Sequence, residues 1–178
     1  MRQRPGWRPM PEVSLATHHV MQANKSKNTK PELEVRRALR EAGLSGYRLH
    51  WKKAPGKPDI CYPGRRVAIF VNGCFWHRCP HCNLALPKTN VEFWREKFAR
   101  NQSRDARDNA QLVAAGWTVI VVWECRLKKG RFDRSMAQIE TEVRACERGG
   151  HRPGRVVEVG SPPAWWYRRA FVRSRARH

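Results

Sequence analysis

The chain has 178 residues, 40% of them hydrophobic, which suffices for one mixed domain with a sizeable core and is short for two. Its 36 Lys and Arg against 15 Asp and Glu leave a formal charge of +21, and on a compact domain such an excess implies a polyanionic partner, nucleic acid first. No run reaches the ~20 apolar residues of a membrane span and no apolar stretch follows the charged N-terminus, so no secretory signal is visible and an intracellular protein is expected. Its six cysteines are then poor disulfide candidates.

Residues 1–23 mix Arg, Pro, Gly and His without periodicity and read as a flexible basic arm. Thr29 and Glu32 form a T-x-x-E capping box with Pro31 in the first turn, and Val35, Ala38, Leu39 and Ala42 recur at helical spacing up to Gly43, which predicts a first helix. Tyr47 to Trp51 alternates like a half-buried strand; Pro55, Gly56 and Pro58 then break the chain, and Asp59 opens a second strand. After the turn signal Pro63-Gly64, the β-branched apolar run Val67 to Val71 predicts a central strand, ended by Gly73. Neither Pro nor Gly occurs from Asn90 to Ala115, so a long helix is expected there with Asn90 as its cap, stopped by Gly116. Trp117 to Trp123 predicts a second buried strand with Glu124 and Cys125 at its end. Asp133 to Glu147 places Met136, Ile139, Val143 and Cys146 on one face of a closing helix. The Arg-rich residues 150–178, with Trp165-Trp166-Tyr167, are either a basic nucleic-acid-binding tail or a strand and anchor against the domain. The order predicts a single α/β domain over 24–149, a small central mixed sheet with helices on both faces.

Asp59 follows Pro58 at the mouth of a strand, where a carboxylate can hold a divalent cation by oxygen ligation; a turn aspartate bonded to its own loop is the alternative. A Pro-Asp, an apolar strand after it and a glutamate on the preceding helix belong to the nuclease pattern PD-(D/E)-x-K. The following strand reads Phe70-Val71-Asn72 and lacks the lysine, so the pattern is half met. Glu32 serves the capping box or reaches a water near Asp59. In Gly73-Cys74-Phe75-Trp76-His77 the neighbouring rings cannot both enter the core from one strand face, so one is expected to be exposed, for stacking on bases or wedging between base pairs, or simply to cover a loop. His77 suits a general base, a proton shuttle or an outer partner of a metal. Cys79-x-x-Cys82 offers soft zinc ligands with Cys125 as the third, and the fourth is His81 or a carboxylate such as Asp105; Cys61, Cys74 and Cys146 read as small core residues.

Taken together these segments resemble the very short patch repair (Vsr) DNA mismatch endonucleases. The resemblance is carried by Lys27 to Glu32, Gly56-Lys57-Pro58-Asp59, Val67 to His77, Pro87 to Trp94, Asn101 with Arg104-Asp105, and Gly116-Trp117 through Cys125. It implies a restriction-endonuclease-like, PD-(D/E)xK-like fold and a strand-specific nick in double-stranded DNA beside a thymine mispaired with guanine, the product of 5-methylcytosine deamination. It further implies Asp59 and the Val71 backbone carbonyl as magnesium ligands, Glu32 and His77 acting through metal-bound waters, and Asn72 where relatives carry a histidine or an aspartate. Met21, Phe75 and Trp76 fall where the family wedges the duplex, Lys27 and Lys88 are expected to contact DNA, and Cys79, Cys82, Asp105 and Cys125 fall on or near structural zinc ligands, with His81 a possible substitute. A monomer in a bacterial-type cytoplasm at the nucleoid, working beside mismatch-repair proteins, is the setting implied. Two alternatives stand beside it: a same-fold nicking enzyme acting on unmispaired DNA in restriction or phage defence, and a non-catalytic zinc-stabilised DNA-binding module.

Overall fold

The computed structural model describes residues 27–147, 149 and 153–160. The arm at 1–23 with Met21, and the Trp165-Trp166-Tyr167 cluster, lie outside the described residues. The first helix, α1 (Lys30–Glu41), starts where Thr29 takes an extended N-cap conformation and the Glu32 carboxylate accepts from the Thr29 hydroxyl at 2.9 Å and from the Asn28 backbone N–H at 3.0 Å. Val35 and Leu39 are fully buried one turn apart, as the period required.

Three antiparallel strands follow: β1 (Arg48–Leu49), β2 (Ile60–Tyr62) and β3 (Val67–Asn72), the last two joined by a short 3-10 turn at Pro63–Arg65. The expected strand from Tyr47 to Trp51 shrinks to two exposed residues, because His50 adopts φ 45°, outside the extended region, and turns the chain out of the ladder. Trp51 instead stacks near Trp117, centroids 5.9 Å apart. The long helix α2 (Val91–Ala114) follows, then β4 (Thr118–Trp123), paired parallel to β3 with Asn72 opposite Trp123. Asn90 occupies the N-cap position of α2 in the left-handed region, and its side chain makes no capping bond there, contrary to expectation. α3 (Phe132–Ala145) closes the second layer.

The sheet does not stop at residue 149. β5 (Arg155–Glu158) adds a fifth strand parallel to β4, giving the order β1-β2-β3-β4-β5, which over these residues is the strand alternative for 150–178 rather than the tail. Its approach fixes Gly154: a Cβ there would lie 2.0 Å from the Val113 carbonyl oxygen of α2.

Alternation along the strands sorts the core into two halves. Ile60, Tyr62, Val67, Ile69, Ile120 and Val122 face α1 and α3, whose Val35, Leu39, Met136, Ile139 and Val143 cover them. Ala68, Val119, Val121 and Trp123 face the other way, against Leu112 of α2 and Trp51. Truncating one of the fully buried residues, such as Ile120, would cost roughly 2–5 kcal/mol, so the sheet is a stiff platform for whatever its ends carry. Among the described residues no helix is long and apolar enough to cross a membrane.

Candidate active site and cysteine cluster

Asp59, the residue before β2, lies beside the end of β3. The Val71 backbone N–H donates to Asp59 Oδ2 at 2.8 Å, which puts the carboxylate next to the Val71 carbonyl and Asn72, where β3 and β4 run out together. The first turn of α1 brings Glu32 to the same place, 3% exposed. Its Oε2 accepts from Arg36 Nη2 at 2.7 Å, and Arg36 Nη1 donates to Asn28 Oδ1 at 2.6 Å. His50 stands between the carboxylates: Nε2 lies 3.8 Å from Glu32 and Nδ1 3.7 Å from Asp59 Oδ1.

Burial pushes the Asp59 carboxyl up from 3.8 to about 6, with the Glu32 charge adding to the rise, while the Val71 N–H, Arg36 and His77 act the other way. Burial, with Arg36 and Lys27 helping, holds His50 below its ordinary value against the pull of Glu32. A half-buried acid raised by its surroundings and unmatched by a close cation of its own is a natural place for a divalent ion, and an oxygen-rich donor set of two carboxylates and a carbonyl fits a hard one.

His77 approaches from the loop after β3. Its Nδ1 is in hydrogen-bonding contact with Asp105 of α2, which leaves Nε2 as the ring nitrogen not engaged by that aspartate; Arg104 Nη2 donates to the second Asp105 oxygen at 3.2 Å. The Trp76 carbonyl accepts from Asn101 Nδ2 at 3.0 Å, pinning the loop to the same helix. Phe75 and Trp76 are both half-buried rather than one in and one out. They pack edge to face with each other at 5.1 Å and lean on Trp94 and Phe98 of α2, while Lys97 Nζ sits 5.1 Å over the Trp76 ring. Lys27 and Lys88 are exposed.

The cysteine cluster differs from expectation in its fourth member. Cys74, Cys79, Cys82 and Cys125 bring their sulfurs within 4.8 Å of one another, so Cys74 takes the corner assigned to Asp105 or His81. Asp105 is engaged with His77, and His81 Nε2 lies 2.9 Å from Glu158 of β5. The reason is the parallel register: Asn72 opposite Trp123 puts Cys74 and Cys125 side by side, and the Cys125 N–H donates to the Cys74 sulfur at 3.3 Å. Cys79 and Cys125 sulfurs are 3.8 Å apart, which matches the edge of a tetrahedron with ~2.3 Å zinc–sulfur arms. Cys61 and Cys146 remain buried core residues, as read from sequence.

Sequence reasoning missed three participants. Arg36 follows Glu32 by four residues on one helix face, a pairing signal that was available. His50 and Cys74 carried no motif of their own that separated them from a strand residue and a core thiol.

A strongly basic chain with paired carboxylates at a sheet end, a histidine aimed by an aspartate and an aromatic pair beside them has the makings of a DNA endonuclease, and its relatives agree. Residues 15–84 match the family described as DNA mismatch endonuclease Vsr. The type II nicking enzyme V.XorIIP of Xanthomonas oryzae pv. oryzae is 47% identical over 110 residues, 61% of this chain and 79% of that protein. The type II nicking enzyme V.NmeAIP of Neisseria meningitidis is 40% identical over 130 residues, 70% of this chain and 91% of that protein. The DNA mismatch endonuclease Vsr of Escherichia coli is 40% identical over 109 residues, 61% of this chain and 69% of that protein. The chain belongs to the Vsr family and is a DNA endonuclease.

Proposed function

We propose that this endonuclease nicks one strand of duplex DNA beside a T:G mismatch, using a divalent cation held by Asp59 and the Val71 carbonyl and a zinc ion held by Cys74, Cys79, Cys82 and Cys125, on a PD-(D/E)xK-like sheet. The observation that carries the reading is the convergence on one sheet end of Asp59, clamped by the Val71 N–H at 2.8 Å, with buried Glu32 and the Phe75-Trp76-His77 segment. The excess positive charge draws in the phosphate backbone and releases its counterions. Phe75 and Trp76, braced by Trp94 and Phe98, press into the stack at the weak base pair; with Met21 they form the wedge. Lys27 and Lys88 contact phosphates. When bound, a magnesium ion supplies positive charge to the scissile phosphate and makes nearby water more acidic. His77, its Nδ1 held by Asp105, takes the proton of the attacking water at Nε2, and Glu32 orients that water. Asn72 contributes an amide that orients without accepting a proton at neutral pH. One strand is cut by one active site, so a monomer suffices.

The experiment is a nicking assay on end-labelled duplexes that differ only in one T:G or C:G pair, over a panel of flanking sequences, with Mg²⁺ and with EDTA. Metal-dependent cutting of the T:G strand alone supports the proposal; absence of a metal-dependent cut in every context ends it. Equal cutting of matched and mismatched duplexes selects the second reading, a nicking enzyme on unmispaired DNA; the names of the Xanthomonas and Neisseria relatives give nicking without a mismatch.

A further inference from the structure

The four cysteines are not held equally. Cys74, Cys79 and Cys125 are at most 8% exposed, and backbone contacts fix them: the Cys125 N–H donates to the Cys74 sulfur at 3.3 Å and the Cys79 N–H to the Cys74 carbonyl at 2.9 Å. Cys82 is the outlying corner. It is half-buried and ends the turn Cys79-Pro80-His81, closed by one long backbone bond from the Cys82 N–H to the Cys79 carbonyl at 3.3 Å. The ligand at the rim of a thiolate site is the one from which an ion escapes, so whatever restrains this turn governs retention.

A restraint arrives from β5. The parallel register sets Glu158 opposite Val121 of β4. Paired residues of a ladder point to the same face, and on β4 that face carries Val121 and Trp123, which pack with Cys74, Cys79 and Cys125. Glu158 therefore stands on the cluster's side of the sheet. Its Oε1 meets two ring nitrogens there, Trp123 Nε1 and, at 2.9 Å, His81 Nε2. An indole N–H only donates, so this oxygen accepts from Trp123, and accepting likewise from His81 assigns the imidazole hydrogen to Nε2. His81 immediately precedes Cys82, and Trp123 lies two residues before Cys125. One oxygen atom of β5 thus joins both segments that supply the sulfurs.

Magnitudes decide which contact leads. The His81 and Glu158 side chains are 28% and 33% exposed, and an ion pair that open to water holds little by itself. Trp123 is 8% exposed, so its N–H has little access to water as a replacement acceptor. The indole fixes the carboxylate, and the carboxylate then fixes the imidazole.

We propose that Glu158 is a positioning residue of the cysteine cluster, fastening the Cys82 corner to β4 through His81 and Trp123 and so slowing escape of the bound ion. This rests on the zinc reading above. His81 then anchors the loop and is not a ligand, and β5 belongs to the working part of the domain.

The test follows zinc release from the full chain, purified with its metal, to excess of the chromogenic chelator pyridylazoresorcinol. One zinc per parent chain is expected. Glu158→Ala releases it about tenfold faster, the range for groups that orient a ligand from behind. Glu158→Gln, which keeps an acceptor oxygen, stays within about threefold of the parent. His81→Ala matches Glu158→Ala, and the double variant is no faster than either. Glu142→Ala removes the contact that Arg155 of the same strand makes with α3 and leaves release unchanged, which separates the clamp from a general loosening of β5. Should Glu158→Ala not fold, His81→Ala on its partly exposed turn and Glu158→Gln still decide the matter. Release at the parent rate in His81→Ala or Glu158→Ala, Glu158→Gln as fast as Glu158→Ala, or equal acceleration by Glu142→Ala each overturn the clamp. Zinc below one per chain in His81→Ala before any chelator is added makes His81 a ligand and overturns it too. A parent chain that carries no zinc instead removes the reading beneath it.

Discussion

The two clusters at the end of this sheet invite a metal in opposite ways. The cysteine cluster is soft and closed, with three of its four residues no more than 8% exposed and the Cys125 backbone N–H already aimed at the Cys74 sulfur. Its four cysteines come from residues 74–82 and from residue 125, locked by the pairing of β3 with β4. The carboxylate site is hard and open: its oxygens come from α1, from the turn before β2 and from β3, and part of its negative charge is already met by Arg36. The difference teaches a division of labour. Under the proposed function, a tetrahedral thiolate set, with no vacant position for a substrate, would hold the Gly73–Cys82 loop, whereas an incomplete oxygen set would leave room for a phosphate and water.

Breaking the closed site has the largest expected effect. Cys74→Ser should remove the bound zinc and lower folding stability by more than about 4 kcal/mol, a fraction of the roughly 10–16 kcal/mol with which thiolate sites hold the ion. Cys61→Ser, at a fully buried thiol outside the cluster, should leave the zinc content at one per chain. Elemental analysis with thermal unfolding separates the two; zinc retained in Cys74→Ser would restore Asp105 or His81 as the fourth ligand.

Breaking the open site should do the opposite to stability. Asp59→Asn is expected to lower nicking at least ~1000-fold, about 4 kcal/mol of barrier. The sign of its stability effect follows from burial. The folded pKa is raised from 3.8 to about 6, so the carboxyl favours the fold below pH 4, and that contribution is lost as pH rises through about 6. In metal-free protein Asp59→Asn should match the parent near pH 4 and become more stable above pH 6, by at most roughly 3 kcal/mol, since each pKa unit is about 1.4 kcal/mol. Denaturant melts at both pH values check this, and Mg²⁺ should stabilise only the parent.

The smaller effects sharpen the comparison. Asp105→Asn, which leaves His77 in place but releases its Nδ1, should lower kcat about 100-fold without altering zinc content. Unchanged kcat would make the pair structural. Trp76→Ala should weaken binding to the mismatched duplex by about 1–3 kcal/mol, the worth of one stacked ring, and leave matched-duplex binding nearly unchanged; titrations by fluorescence anisotropy measure both.

The same contrast marks what could be read from sequence. α1 and α3 follow from periodicity because each buries one face, β3 and β4 follow from their apolar runs because each is covered on both faces, and Pro58-Asp59 pointed correctly to a sheet end. β5 could be read only as one of two alternatives for residues 150–178, a strand or a basic tail, because its residues are exposed or partly exposed and no alternation places the strand. β1 was overdrawn because its pattern continues through His50, whose backbone leaves the ladder. Cys74 and Arg36–His50 were illegible for a common reason: each acquires its role from a neighbour distant in the chain, through strand register in one case and helix docking in the other.

The division of labour between the clusters is tested most directly by following zinc content and nicking in one sample. After treatment with EDTA the protein should keep one zinc per chain, lose all cutting of a T:G duplex, and regain it on addition of Mg²⁺ alone. Cutting that survives EDTA, or that returns only when zinc is supplied, would contradict it and move the chemistry to the cysteines.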